Sequence, residues 1–331
     1  MAKVLSVFPL LVTVFTCDNY NMAETGDNHI KIPKYAYHKG DTYYGHENSL
    51  EAIIGHYTMS KENDANLLAN RVYEIDIIAK SPFLVSHDPY AITEDVFKPI
   101  SSESMALDVF ENCKHKYLAD LSEVEIRHVV YKSGDAPMIL SELLTFIKFM
   151  RAKVYLDIKS PLDTCYDFFD PSDTGKLDAS ADVTALEADI FNMIDVISKT
   201  CDELGVIPSA IIDTIISFDD AISVFMKAEI DRRDLDLDNG MFVFQNFQDD
   251  TMNRAYLDLL YEMIRPNVIS YNHVAMFDKP DYLSRYDGAR HYVWTVHIDD
   301  LPELREKEPD IMKRIEDMGA IWVVDNFTRD E

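Results

Sequence analysis

The sequence predicts an α/β fold of the (β/α)8-barrel class, formed by a single domain over residues 34–331. Short apolar runs rich in β-branched and aromatic residues alternate with amphipathic helical patterns along the chain. Eight such runs are present, which is the number of strands in this class of barrel. The chain has 331 residues, of which 47% are hydrophobic, so it is long enough to bury the core of one barrel.

The strand predictions follow the apolar runs in chain order. They cover residues 34–38, 71–78, 153–159, 210–218, 241–247, 267–271, 291–297 and 320–327. A ninth short run, residues 82–88, follows the second strand too closely for a crossover helix. We therefore expect this run to return as a hairpin.

Helical patterns fill most of the gaps between the strands. They cover residues 48–59, 140–151, 185–204, 218–231, 251–264 and 312–319. Several of them open with an Asn, Ser, Thr or Asp suited to an N-cap. Two stretches lack such a pattern: Asp88 to Pro137 is a long loop insertion, and Ser160 to Asp182 is a polar loop. Both follow strand ends, where the active-site loops of a barrel lie.

The first residues of the chain favour export. One Lys precedes an apolar run from Val4 to Phe15, which has the length of a signal-peptide core and is too short to span a bilayer. We expect residues 1–17 to form a signal peptide and residues 18–33 a polar leader, in a secreted or periplasmic protein. Without such a signal the protein would be cytoplasmic. No later run predicts a transmembrane helix.

The net charge and the cysteine content limit which partners and which kinds of site are expected. The formal net charge is -28, which makes nucleic acid and anionic membranes poor partners, and any phosphate chemistry would need a cation. The four cysteines are too few and too scattered for a disulfide framework. Because no C-x-x-C pair occurs, a thiolate zinc site is not expected.

Ionisable side chains gather near the ends of neighbouring predicted strands. They are His38 on the first strand, Glu74 and Asp76 on the second, His87 on the hairpin, and Asp157 and Lys159 on the third. The carboxyl ends of barrel strands face one cleft, and residues two apart on a strand point to the same face. Two carboxylates from one strand and one from its neighbour favour a hard cation such as Mg²⁺ or Ca²⁺.

Each of these residues alone has a simpler explanation. A His at a strand end is usually structural, and an E-x-D pair is usually exposed to solvent. In a parallel barrel, however, the outer face meets helices, and a charge that points inward needs a partner. A bound metal ion would supply that partner.

A series of short motifs runs in order from His38 to Asp325. The segments are His38-Lys39-Gly40, His46-Glu47-Asn48-Ser49, Glu74-Ile75-Asp76, Val85-Ser86-His87-Asp88, Asp157-Ile158-Lys159, Ser217-Phe218-Asp219, Trp294-Thr295-Val296, and Met318-Gly319-Ala320 leading to Asp325. In this order they resemble the glycerophosphodiester phosphodiesterase family. Its superfamily also holds the phosphatidylinositol-specific phospholipases C and the sphingomyelinases D.

Several positions depart from the family pattern. Lys39 stands in place of an Arg that grips phosphate with two donors, Asp157 in place of Glu, and His46 in place of Pro. The stretch between Asp76 and His87 is also shorter than is typical of the family. These departures bear on the substrate more than on the chemistry.

The resemblance implies a (β/α)8 phosphoric diester hydrolase that converts glycerophosphodiesters to glycerol 3-phosphate and an alcohol. The substrate would be a small phosphodiester or a lysolipid. The implied roles are acid and base for His38 and His87, ligands of one Mg²⁺ or Ca²⁺ for Glu74, Asp76 and Asp157, substrate binding for Lys39, Lys159 and Trp294, and orientation of the site for Glu47 and Asn48. The D-x-K spacing of Asp157 and Lys159 also allows a phospholipase D-like transferase, of the sphingomyelinase D type, that acts on lysophospholipids or sphingomyelin. A catalytically inactive barrel with a binding role is the third possibility.

Overall fold

The structure is a computed structural model that describes residues 35–41, 45–63, 71–87, 91–161, 183–243, 250–272, 286, 288–297 and 300–325. The predicted signal peptide and polar leader, and residues 162–182 of the predicted polar loop, lie outside the described residues. All described residues belong to one compact unit.

Strands and helices alternate through the described part of the chain. The strands are β1 (Tyr35–Tyr37), β2 (Val72–Ile78), β3 (Leu84–Val85), β4 (Phe97–Pro99), β5 (Val129–Tyr131), β6 (Met138–Ile139), β7 (Lys153–Lys159), β8 (Ile212–Ile216), β9 (Gly240–Val243), β10 (Val268–Asn272), β11 (Arg290–His297) and β12 (Ile321–Asp325). The helices are α1 (Leu50–Asn63), α2 (Ser104–Cys113), α3 (Glu123–Ile126), α4 (Leu140–Met150), α5 (Val183–Leu204), α6 (Asp220–Arg233), α7 (Asp250–Ile264), α8 (Leu301–Lys307) and α9 (Pro309–Asp317). None of the described helices is long and apolar enough to span a membrane.

Eight of the strands run parallel and form the wall of a barrel. Their spatial order is β8, β7, β2, β1, β12, β11, β10 and β9. The two outermost strands meet at a single parallel bridge between Ile215 and Asn239. Each of the eight parallel strands therefore lies next to the parallel strand that precedes or follows it in the chain, as in a ring. This arrangement confirms the predicted barrel class, and each of the eight strands overlaps a predicted run.

The barrel strands are buried on both faces, as a sheet covered by helices requires. All seven residues of β2 and all five of β8 are buried. Side chains from most of the barrel strands fill the interior, and they include Tyr155 of β7, Phe242 of β9 and Tyr292 of β11. The long apolar runs of the sequence are explained by this burial.

The chain after β2 returns as predicted. Val85 of β3 pairs antiparallel with Ile77 of β2, and β6 in turn pairs antiparallel with β3. This short antiparallel extension lies beside the carboxyl half of β2. It places His87 next to the residues that end the neighbouring barrel strands.

The insertion between β3 and β6 is a folded subdomain, whereas its sequence predicts only a loop. It contains α2, α3 and the antiparallel pair β4–β5. It also has its own apolar cluster, with Phe97, Phe110 and Tyr131 among the buried side chains. These elements are three to ten residues long, so no periodic pattern is long enough to stand out in the sequence.

A partly buried group of ion pairs joins β11 to β8, near their amino ends, and to Asp238 just before β9. Arg290 of β11 donates to both carboxylate oxygens of Asp213 of β8, at 3.0 and 2.9 Å, and to Asp238, at 2.8 Å. The hydroxyl of Tyr292 also donates to Asp213. The carboxylate of Asp213 thus satisfies two polar groups in the lower part of the barrel.

We expect the substitution Asp213→Ala to lower the free energy of unfolding by about 2 kcal/mol, because it leaves the buried phenol of Tyr292 without its acceptor and removes one of the two carboxylates that contact Arg290. Urea unfolding measures this loss. The exposed pair of Lys307 and Glu303 is the control, and Lys307→Ala should leave the midpoint unchanged. A midpoint for Asp213→Ala as high as that of Lys307→Ala would contradict this role for Asp213.

Candidate active site

The candidate site is a cavity of about 150 Å³ at the carboxyl ends of the barrel strands. Its polar wall consists of His38, Glu74, His87, Asp157 and Lys159. Five of the ionisable residues predicted from the sequence thus line one cavity. The sixth, Asp76, lies directly beneath this wall, with 1% of its surface exposed.

Three carboxylates form the centre of the site. Glu74, Asp76 and Asp157 are all buried, and one oxygen of each lies within 4.8 Å of the others. The register of β2 and β7 explains this closeness, since Asp76 pairs directly with Asp157 across the two parallel strands. Glu74 lies two residues before Asp76 and therefore on the same face of β2.

Two groups from the chain after β1 hold this trio in place. The backbone N–H of Lys39 donates to Glu74 at 2.9 Å. The side chain of Asn48 donates to the carboxylate of Asp76 at 2.9 Å and accepts from its backbone N–H at 2.9 Å. Lys39 and Asn48 both have positive φ, at 52° and 57°, and the backbone N–H of Asn48 donates to the carbonyl of Lys39. Strained backbone of this kind persists where surrounding contacts fix it, and it is common at functional sites.

Two lysines offset part of the negative charge. The ammonium of Lys159 lies 3.0 Å from Asp76 and 2.7 Å from Asp157. The ammonium of Lys39 donates to Glu47 at 3.0 Å. Burial lowers the pKa of each lysine, but the neighbouring carboxylates outweigh this effect and raise the pKa of both above the ordinary value. Both side chains therefore remain cationic; Lys159 lines the cavity, whereas Lys39 lies outside its lining.

The carboxylates differ in how easily they ionise. Burial and the charge of Asp76 raise the pKa of Glu74 to about 8, and burial also raises the pKa of Asp157. Burial acts in the same direction on Asp76, but the cation of Lys159 and the neighbouring imidazoles outweigh it and lower the pKa of this carboxyl. In the metal-free protein, Glu74 therefore keeps its proton at neutral pH, and Asp76 ionises most easily.

The trio fits a hard divalent cation. Oδ1 of Asp157 is buried and accepts no hydrogen bond from any described residue, and Oδ1 of Asp76 has the ammonium of Lys159 beside it at 3.0 Å but no hydrogen bond of good geometry. Buried oxygens of this kind require a partner, and carboxylate oxygens are the ligands that Mg²⁺ and Ca²⁺ prefer. Among the described residues, this trio is the only group of acidic, His or Cys side chains close enough to hold a metal ion.

Histidines approach the trio from two different elements. His38 lies in the turn His38–Gly40 that follows β1, and its Nε2 is 3.8 Å from Glu74. His87 lies two residues after β3 and lines the same cavity. Gly40 permits the tight turn at His38, since it has φ of 79° and a Cβ there would lie 2.9 Å from Ile53.

The opposite wall of the cavity is apolar. It is formed by Tyr155, Phe218, Phe242, Trp294 and Val323. Phe218 and Phe242 stack with their centroids 3.7 Å apart, and Trp294 meets Phe218 edge to face at 5.0 Å. The ammonium of Lys159 lies 5.0 Å from the ring of Phe218. Trp294 was predicted from the sequence; the other four were not, although Phe218 belongs to the S-F-D motif.

The site makes the stability of the metal-free protein depend on pH. The unfolded chain gives up the proton of Glu74 near 4.5, whereas the folded chain keeps it to about 8. Between these values the folded state binds more protons than the unfolded state, so the free energy of unfolding falls as the pH rises.

In EDTA, we therefore expect Glu74→Gln to reduce this fall, because the amide cannot ionise and still accepts from the N–H of Lys39. Thermal unfolding from pH 5 to 8 measures the effect. The exposed residue Glu123 is the control, and Glu123→Gln should retain the slope of the wild type. Equal slopes for wild type and Glu74→Gln would show that Glu74 does not retain its proton.

Comparisons with known proteins relate this architecture to solved structures. The sequence matches no protein-family model and no curated protein. A protein from Silicibacter pomeroyi DSS-3, assigned to the glycerophosphoryl diester phosphodiesterases, is similar with a TM-score of 0.55 and 14% identity, over 90% of this chain and 91% of that chain. An Oleispira antarctica phosphodiesterase in complex with the product sn-glycerol-3-phosphate is similar with a TM-score of 0.53 and 12% identity. The match covers 89% of this chain and 93% of that chain.

A third similar structure is assigned as a glycerophosphodiester phosphodiesterase from Galdieria sulphuraria. Its TM-score is 0.53 and its identity 14%, over 89% of this chain and 94% of that chain. At such low identity the likeness concerns the fold. It confirms the barrel class, and it confirms at the level of the fold the resemblance that the ordered motifs indicate.

Proposed function

We propose that the chain is a metal-dependent glycerophosphodiester phosphodiesterase that releases glycerol 3-phosphate and an alcohol. The observation that supports this proposal most strongly is the composition of one cavity wall. Two imidazoles and a half-buried lysine lie beside a trio of carboxylates at the carboxyl ends of parallel strands. Hydrolysis of a phosphodiester needs a proton acceptor, a proton donor and a positive charge near the phosphate, and these side chains offer all three.

The proton transfers are assigned to the two histidines. His38 would take the proton of the attacking hydroxyl, which is water or, as the resemblance implies, the 2-hydroxyl of the substrate's glycerol. A new bond forms between that oxygen and phosphorus, and the bond from phosphorus to the leaving alcohol breaks. His87 would give its proton to that alcohol. If the 2-hydroxyl attacks, the first product is a cyclic phosphate, which water would then open to glycerol 3-phosphate, with His87 taking a proton from the water and His38 returning its proton to the 2-hydroxyl. Glu74, 3.8 Å from His38, would stabilise the protonated imidazole once a bound cation keeps its own carboxyl ionised.

The carboxylate trio would hold one Mg²⁺ or Ca²⁺. Such an ion supplies Lewis acidity, neutralising phosphate oxygens and stabilising negative charge. Asn48 keeps Asp76 in a fixed orientation through two hydrogen bonds, and Glu47 does the same for the ammonium of Lys39. Outer contacts of this kind tune a metal site strongly.

The remaining residues would bind the substrate. Lys159 and Lys39 add positive potential beside the phosphate, but as point charges without the two-donor geometry of Arg. Trp294 and Phe218 form an apolar surface against which the carbon skeleton of the alcohol can pack. The apolar wall would also exclude water from that side of the cavity.

A panel of phosphodiesters tests the proposal. The purified chain is incubated with glycerophosphocholine, glycerophosphoinositol, lysophosphatidylcholine and sphingomyelin, and the products are identified by phosphorus NMR. We expect glycerol 3-phosphate from at least one glycerophosphodiester. The variant Asp76→Asn, purified in the same way, controls for contaminating hydrolases.

The same panel separates the alternatives. A cyclic phosphate that retains the lipid would replace the proposed function with a phospholipase D-like transferase. An absence of turnover on all substrates with added Mg²⁺ or Ca²⁺ would favour a catalytically inactive barrel with a binding role.

A further inference from the structure

The folded insertion contacts residues 45–49, here called the active-site loop, through a turn. This turn begins at Tyr131, the last residue of β5, and ends at Asp135. The N–H of Tyr131 donates to the carbonyl of Asp135 at 2.9 Å, and the N–H of Gly134 donates to the carbonyl of Tyr131 at 2.9 Å. The turn therefore presents the side chains of Tyr131 and Asp135 as one unit.

Both side chains contact His46. The carboxylate of Asp135 accepts a hydrogen bond from the backbone N–H of His46 at 2.7 Å. The ring of Tyr131 stacks on the imidazole of His46 with centroids 3.7 Å apart and planes 15° apart. Tyr131 is only 2% exposed, and it packs against Phe97 at 4.9 Å in the core of the insertion. Its ring is thus a fixed surface for the imidazole.

His46 lies immediately before the residues that orient the carboxylate trio. Its Nδ1 donates to the carbonyl of Glu47 at 2.9 Å, and its own carbonyl accepts from the N–H of Ser49 at 3.1 Å. Between them, Asn48 makes two hydrogen bonds to Asp76. A shift of His46 would therefore move Asn48 and, with it, the carboxylate of Asp76.

Tyr131 reaches the same carboxylate by a second route. Its hydroxyl shares a hydrogen bond with the side chain of Ser86, the residue before His87. The backbone N–H of Ser86 donates to the carbonyl of Asp76 at 3.0 Å. The insertion thus contacts both segments that are hydrogen-bonded to Asp76, one through His46 and one through Ser86. Neither Tyr131 nor Asp135 lines the cavity.

We propose that Tyr131 and Asp135 are positioning residues that fix Asp76, through His46 and Asn48, in the geometry that binds a divalent cation. This inference rests on the metal site of the proposed function. The insertion would then have a specific role, because its contacts outside the cavity hold the active-site loop in position. The backbone bond depends on this particular sequence, because a Pro at position 46 would have no N–H to donate.

Calorimetric titration of the full chain with Mg²⁺ and with Ca²⁺, without substrate, tests the inference. Asp135→Ala removes the acceptor for the N–H of His46, and Tyr131→Leu removes both the stacked ring and the hydroxyl. We expect each to weaken cation affinity by about 10-fold, as changes to outer contacts of metal ligands do. Asp135→Asn keeps an acceptor oxygen and should bind the cation nearly as well as the wild type.

Phe110→Leu is the matched control for a general loss of packing. Phe110 is buried in the same core but belongs to α2 and not to the turn. This variant should unfold at a lower temperature and retain the wild-type cation affinity. Because Tyr131→Leu also removes a buried ring from the core of the insertion, the comparison of Asp135→Ala with Asp135→Asn is the decisive one.

Each outcome has a distinct meaning. Wild-type affinity in Asp135→Ala would overturn the inference, and so would an equal loss of affinity in Phe110→Leu. A wild-type chain that binds no cation would overturn both the inference and the metal site. A wild-type chain that binds the cation but hydrolyses no phosphodiester would contradict the proposed activity and leave the positioning role intact.

Discussion

Hydrolysis of glycerophosphodiesters is expected to stop when the chain is treated with EDTA and to return when Mg²⁺ or Ca²⁺ is added in excess. The reason is the charge balance of the site. Three buried carboxylates lie within 4.8 Å of one another, and Lys159 contacts only two of them. A bound cation would let all three carboxylates ionise and would itself attract the anionic phosphodiester; without it, the trio offers the phosphate no positive charge. Release of glycerol 3-phosphate, measured by a coupled assay, follows both steps.

The substitution Asp76→Asn should abolish turnover together with the stabilisation that the ion gives. A ligand at 100 times its dissociation constant stabilises the folded state by about 2.7 kcal/mol, so the wild type should unfold at a higher temperature in excess metal. The variant should show no such rise. Asp213→Asn is the matched control, because it alters a buried carboxylate near the opposite end of the barrel. Undiminished activity in EDTA would contradict the metal assignment.

The barrel and the position of the carboxylates could be predicted because both depend on local patterns. Burial on both faces gives parallel strands their long apolar runs, so the eight strands are visible in the sequence. The spacing of Glu74 and Asp76 fixes their common face, since side chains alternate along a strand. The order of the strands in the chain predicts that β2 and β7 are neighbours. The structure adds their register, which places Asp157 opposite Asp76.

The rest of the site depends on contacts between residues distant in sequence. Tyr131 and Asp135 belong to short elements without a periodic pattern, and they meet His46 only after the insertion has folded. Phe242 lies on a strand whose apolar residues all fit a core equally well. Nothing in its spacing distinguishes a residue that lines a cavity from one that fills the barrel.

His38 and His87 are each expected to be essential for turnover. Substitution of either residue by Ala should lower kcat by about 10²-fold or more, because a positioned proton-transfer group contributes roughly that factor. Substrate affinity and the unfolding temperature should change little, since His38 keeps a fifth of its side chain exposed and its backbone turn does not need the imidazole. Steady-state kinetics and thermal unfolding of the same preparations measure the two effects.

His56 provides the matched control. It is a buried histidine outside the cavity, and it shares a hydrogen bond with the hydroxyl of Tyr73 at 3.1 Å. Burial lowers its pKa to about 3, so its imidazole is neutral and structural. His56→Ala should lower the unfolding temperature while the folded fraction keeps its turnover. If His38→Ala and His87→Ala behave like His56→Ala, neither residue takes part in the chemistry.

Substrates with different leaving groups distinguish the acid from the base. A p-nitrophenyl phosphodiester has a leaving group that needs no protonation, so it should partly restore turnover in the variant that lacks the acid and not in the variant that lacks the base. We expect restoration in His87→Ala. The double variant should lose less than the product of the two separate losses, because groups that serve one step act as a unit. Restoration in His38→Ala alone would reverse the two roles, and a wild-type rate in either variant would remove that histidine from the mechanism.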